Sequence, residues 1–209
     1  MQTRPSKVTR DKIMKAATRV FAEKGYHGAS IRNIVAKANV NQAAISYHFA
    51  GKEGLYRAVL KAAMQALSNA DNSTARVPGT EAGREAALRA FIRRQLQPML
   101  GRDELSHYLR IFNWETVRPT PEFRKFVAEE AGPYLASAVT LIREFLPSSA
   151  PEKQAVLGAL WLLGQCSIFV RNREQLGQAP LGFRVDRPFV DGLAETIARW
   201  ATAGLLGSG

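Results

Sequence analysis

The chain has 209 residues, 46% of them hydrophobic, and carries a formal net charge of +11. That length and apolar content exclude global disorder and permit one large domain or two small ones, each with a real core. A single cysteine, Cys166, excludes an internal disulfide framework and points to a reducing compartment. The basic N-terminus has no hydrophobic run behind it, unlike a secretory signal. The apolar stretch near 155–170 is broken by Gln165 and Ser167 and reads as a buried helix rather than a membrane span. The expectation is a soluble, cytoplasmic protein.

Most of the positive charge sits at one end. Residues 1–70 hold twelve Lys or Arg against three acidic side chains, a local excess of +9 that leaves only +2 for the rest. Concentrated positive charge attracts polyanions through steering and counterion release, and nucleic acid is the first candidate. A solubilising basic tail or a surface for anionic lipid is the competing explanation.

In chain order, Ile13, Ala16, Ala17, Val20 and Phe21 mark one face of a first helix, and Gly25 is placed to end it. Ser30 can cap a second helix with Ile31, Ile34, Val35 and Ala38 on its apolar face. Asn39 tolerates the left-handed backbone that the next turn requires. Asn41 can cap a third helix reaching Phe49, with Ala44, Ile45 and Phe49 turned inward. A long amphipathic helix follows from about Lys52 through Leu67. The polar connector "DNSTARVPGT", residues 71–80, then breaks the chain. Five helices are expected beyond it, at about 81–98, 104–116, 121–146, 152–176 and 186–206, with Gly132-Pro133 kinking or splitting the third. No strand alternation persists, so the fold class is all-α.

Two short helices, 30–38 and 41–49, joined by a tight turn and backed by a longer one, form the helix-turn-helix arrangement. The DNA major groove, about 12 Å wide, admits one helix. Ala43 and Ala44 are small enough for close approach, while Asn41, Gln42 and Ser46 can donate or accept. Gln42 can pair bidentately with adenine. Tyr47, His48 and Lys52 can donate to phosphate oxygens, which sets register rather than sequence. Ser30 can present the N-terminus of its helix to a phosphate, and Arg32 can reach phosphate or base. Core packing competes as an explanation for the Tyr-His-Phe run, above all for Phe49.

Residues 20–60, "VFAEKGYHGASIRNIVAKANVNQAAISYHFAGKEGLYRAVL", resemble the DNA-binding domain of the TetR family of bacterial transcriptional regulators. "ISYHFAGKEGLY" is close to that family's signature. The resemblance implies a DNA-binding domain at 1–52 and a helical effector-binding and dimerisation domain at 53–209. It maps the contact positions onto Ser30, Arg32, Gln42, Ala43, Ala44, Ser46, Tyr47, His48 and Lys52. Val35 stands where the motif usually has Ala, and Asn39 where it usually has the turn Gly. "NWETVRPTPEF" and "LGALWLLGQCSIF" are similar to a subgroup that includes the CecR regulator.

Helix 152–176 is apolar nearly all round, which demands burial on both sides. One face would pack on its own domain and the other on a twofold mate, with Leu157, Leu160, Gly164 and Ile168 at that interface and Leu193, Ile197 and Trp200 of the last helix beside them. An effector cavity would be apolar with a few polar groups. Phe112, Trp114, Glu115, Tyr134, Trp161, Gln165 and Phe169 are its candidate lining, and Arg110, Arg118 or Arg143 could instead pair with Glu115. His27, His48 and His107 lack metal-ligand spacing, and Cys166 has no base nearby in sequence, so neither a metal, a cofactor nor catalysis is expected. The expected function is a homodimeric, ligand-responsive regulator, a repressor in first reading, that binds a pseudo-palindromic double-stranded operator and is released or altered by a small-molecule effector. The alternative is an architectural or partner-binding DNA-binding protein without an effector.

Overall fold

The computed structural model describes residues 4–72, 80–101, 103–130 and 132–206. Its helices are α1 (Arg4–Gly28), α2 (Ile31–Ala38), α3 (Ala43–Phe49), α4 (Lys52–Asn72), α5 (Glu81–Leu96), α6 (Glu104–Val117), α7 (Pro121–Glu130), α8 (Gly132–Arg143), α9 (Glu152–Arg171), α10 (Arg173–Leu176) and α11 (Arg187–Leu206), with a 3-10 turn at Gln97–Met99. No strand occurs among the described residues, and the fold is all-α. The expected helix 121–146 is two helices, α7 and α8, with Gly132-Pro133 at the start of the second and an end at Arg143. The expected helix 152–176 breaks at Asn172 and resumes as the single turn α10.

The chain divides into two compact units, residues 1–66 with 103–131, and residues 67–102 with 132–209. This differs from the sequence division at residue 52. Most of α4, and all of α6 and α7, belong with the N-terminal helices. The physical reason is side-chain burial: α6 lies along α1, and Tyr108, Leu109, Ile111 and Phe112 of α6 and Phe126 of α7 are buried.

In the first unit α1 packs on α2, α3 and α6. Its inward residues Ile13, Ala16, Ala17, Val20 and Phe21 are those the periodicity picks out. Gly25, expected to end the first helix, instead takes φ 66° inside the span of α1 and kinks it, and the helix runs on to Gly28. A Cβ there would also stand 3.3 Å from the Trp114 ring, so this position excludes larger residues twice over. In the second unit α5, α8, α9, α10 and α11 share one core, built on Leu88, Ile92, Leu96, Ala138, Ile142, Ala159, Leu162 and Ala194 among others. Arg89 and Arg93 of α5 bridge to Glu195 of α11 at 2.8 and 2.7 Å. These pairs are exposed and contribute little each.

Helix α9 is long and apolar enough to cross a membrane by length and composition alone. Ala155, Ala159, Leu162, Cys166 and Val170 of this helix pack into the core of the second unit. Burial pushes the Cys166 thiol up to about 12, the state of an inert buried thiol. The opposite face, with Leu157, Leu160, Trp161 and Ile168, is exposed. Burial on both sides, expected for this helix, is therefore absent within one copy.

Candidate nucleic-acid interface

The helix-turn-helix is held by local chemistry. Ser30 Oγ accepts from the Asn33 N–H at 3.1 Å and caps α2. Asn39 closes that helix with φ 52° and ψ 55°, the left-handed conformation its side chain tolerates. Val35, larger than the Ala usual at its position, is half-buried in α2. Asn41 Oδ1 accepts from the Ala43 N–H at 3.0 Å, so Asn41 supplies the cap although the first helical residue is Ala43. Ala50, with φ 56°, ends α3 after seven residues.

This short helix has two unlike faces. Ile45 and Phe49 are buried and fasten it to the unit, with the Arg10 guanidinium of α1 lying 5.2 Å from the Phe49 ring. Gln42, Ala43, Ser46 and Tyr47 are exposed, while Ala44 and His48 are half-buried. Tyr47 is 81% exposed, an unusual position for a large aromatic ring on a helix with no covering segment. Its ring meets that of His48 edge-on at 4.9 Å. Ser30 and Arg32 are exposed on α2. Lys52 opens α4 with its Nζ 4.3 Å from the Tyr26 ring centroid, a contact that sequence reading missed.

Behind this surface lies a buried polar hub. Glu115 of α6 is 2% exposed. Its carboxylate accepts from the Tyr56 hydroxyl of α4, from the Thr120 N–H at 2.6 Å and from the Thr120 hydroxyl at 3.0 Å. Thr120 Oγ1 in turn accepts from the Phe123 N–H and caps α7. Burial, and then the bond to Glu115, raises the Tyr56 phenol above its ordinary value. On the surface Arg57 of α4 pairs with Glu129 of α7. Arg143, one expected partner of Glu115, donates to the Ala150 carbonyl at 2.6 Å.

The other effector candidates divide between the two units. In the first, the Phe112 ring packs edge-on against Phe123, and Trp114 Nε1 donates to the Ala22 carbonyl at 3.1 Å. Together with Glu115, these three side chains are engaged within their own unit. In the second, Trp161 is exposed, Gln165 is half-buried and Phe169 packs against the core. The Tyr134 side chain lies outside the described residues. Of the interface candidates, Leu157, Leu160, Gly164, Ile168 and Trp200 are exposed, with Trp200 at 62%. Ile197 corrects the expectation. It shares the inward face of α11 with Val190, Ala194 and Ala201 and belongs to the core of its own bundle, where Leu193 also packs.

Residues 13–59 match the family described as bacterial regulatory proteins, tetR family. Residues 84–206, over half of the chain, match the C-terminal domain of the HTH-type transcriptional dual regulator CecR. The chain belongs to the TetR family. This TetR-family chain is 51% identical over 47 residues to YttP of Bacillus subtilis, a probable HTH-type transcriptional regulator, a match covering 22% of the chain and 23% of YttP. It is 35% identical over 60 residues to the biofilm operon negative regulator IcaR of Staphylococcus aureus, covering 29% of the chain and 32% of IcaR. Both matches thus span a third or less of those relatives. The fold is similar to FadR of Bacillus subtilis in complex with stearoyl-CoA, with a TM-score of 0.70, 18% identity, and 93% of this chain and 98% of that chain covered.

Proposed function

We propose that this regulator is a cytoplasmic homodimeric repressor that reads a pseudo-palindromic operator with α3 and is released by a small-molecule effector. The observation that carries the reading is the two-faced α3. Ile45 and Phe49 anchor it, and Gln42, Ala43, Ser46 and Tyr47 stand outward on the strongly basic end of the chain. Gln42 reads a base edge. Tyr47, His48 and Lys52 grip phosphate, as do Ser30 and Arg32 at the start of α2. Two variants separate these roles in a DNA-binding titration. Gln42→Ala relaxes preference at one base position, by about 1–3 kcal/mol. Lys52→Ala weakens all sequences alike and lowers the salt slope by about 0.9. Intact sequence preference in Gln42→Ala would remove Gln42 from the reading surface.

Dimerisation through α9 and α11 is supported by the uncovered stripe of Leu157, Leu160, Gly164 and Ile168, spaced on one helical face, and by Trp200. Burying such a stripe contributes about 25 cal/mol per Å² of apolar surface removed from water. Leu160→Glu is expected to yield monomers in light scattering and to abolish tight operator binding, because one reading head then pays the full cost of association. A dimer that survives Leu160→Glu moves the interface elsewhere.

The repressor reading draws on IcaR, a negative regulator. FadR, solved with stearoyl-CoA, makes acyl-CoA thioesters the first effectors to titrate. Gln165 and Phe169 of α9 are the candidate contacts in the second unit, with Trp161 beside them. The effector acts by shifting α4, and it must prefer one state of the protein to do so. An acyl-CoA that binds and leaves operator affinity untouched is not the effector.

A further inference from the structure

Lysine is an awkward first residue for a helix, because the N-terminal end of the macrodipole is positive. Its four-carbon stem also loses rotamer freedom on gripping a phosphate. At Lys52 both problems have a visible answer. The ammonium sits 4.3 Å from the Tyr26 ring centroid, and the Tyr26 ring is itself braced 4.8 Å from Tyr56 and 6.2 Å from Phe21. Tyr56 is fully buried and tied to Glu115, so the platform beneath Lys52 is rigid. Burial lowers the ammonium's pKa, and the charge of Glu122 in α7 opposes that effect.

We propose that Tyr26 is a positioning residue for the phosphate contact of Lys52. The Tyr26 ring holds the ammonium ready at the head of α4. This inference rests on the reading of Lys52 as a phosphate contact.

The probe is a fluorescent random-sequence duplex, since a phosphate contact needs no operator, titrated by anisotropy against the full chain over a salt series. Tyr26→Leu and Tyr26→Phe are each made with Lys52 intact and in the Lys52→Ala background. Tyr26→Leu weakens binding about two- to fivefold, the scale of one exposed cation–π contact, and Tyr26→Phe restores it. The change shrinks toward nothing in the Lys52→Ala background, because it acts through that ammonium. An effect of undiminished size there would overturn the proposal, since a loosened fold does not depend on Lys52. Should Tyr26→Leu fail to fold, Tyr26→Met, which keeps an apolar side chain without a π face, decides through the same cycle. A Lys52→Ala chain with unchanged affinity and salt slope removes the phosphate contact itself and the proposal with it. Loss of slope in Lys52→Ala without coupling to Tyr26 removes only the proposal.

Discussion

Replacing Glu115 by Ala is expected to cost the first unit about 3–5 kcal/mol, read as a lower denaturation midpoint by circular dichroism. The carboxylate is 2% exposed and accepts three hydrogen bonds, from Tyr56, the Thr120 N–H and the Thr120 hydroxyl. Truncation leaves the Tyr56 hydroxyl and the Thr120 N–H buried without partners, at about 1–3 kcal/mol each, and opens a cavity besides. It also frees Thr120, which caps α7 through the Phe123 N–H. Glu115→Gln keeps the shape and one acceptor oxygen, so its loss is smaller. The hub carries a pH signature as well. Burial, and then Glu115, raises the Tyr56 phenol above its ordinary value. The stability of the neutral phenol is therefore complete below pH 10, the unfolded value, and drains away as the pH climbs above it. Tyr56→Phe should remove the Tyr56 share of the alkaline slope, leaving that of Tyr26 and Tyr108, whose phenols are also raised. A melting curve for Glu115→Ala matching the parent would show that α6 and α7 are held to α4 by other means.

Gly54→Ala is expected to be nearly as damaging, at about 3 kcal/mol, although it adds one methyl group. A Cβ at this position would lie 1.9 Å from the Phe49 carbonyl oxygen and 3.1 Å from its carbon. That neighbour is backbone, so no rotamer change relieves the clash. The end of α3 and the start of α4 must separate. The displacement falls between α3, the proposed reading helix, and Lys52, so DNA affinity should drop along with thermal stability. Unchanged melting and unchanged DNA binding in Gly54→Ala would mean that the α3–α4 turn is softer than its geometry implies.

Much of the head is legible from the residues alone. Ser30, Asn39 and Asn41 each act on backbone groups within four residues of themselves, and each does what its chemistry predicts, whereas Gly25 kinks α1 instead of ending it. The two faces of α3 follow from helical spacing, which puts Ile45 and Phe49 together and Gln42 and Ser46 on another side. Charge and motif then support the proposal that this surface meets DNA. In α9 the same kind of reasoning stops short. A helix apolar all round has no preferred orientation in its own pattern, and only packing decides that Leu162 and Cys166 turn inward while Leu157 and Leu160 stay out. Ile197 went to the core of its bundle for the same reason, as one of several apolar residues on α11 among which neighbours choose.

The residues by themselves determined the all-α class, the helix-turn-helix with its caps and turns, and the polar face of α3, because those depend on groups a few positions apart. Tertiary structure alone decided that α6 and α7 belong with the head, that Glu115 answers to a tyrosine 59 residues earlier in the chain, and that Lys52 rests on Tyr26. Such pairings depend on which apolar faces meet, and a buried carboxylate takes whatever donors that packing delivers to it.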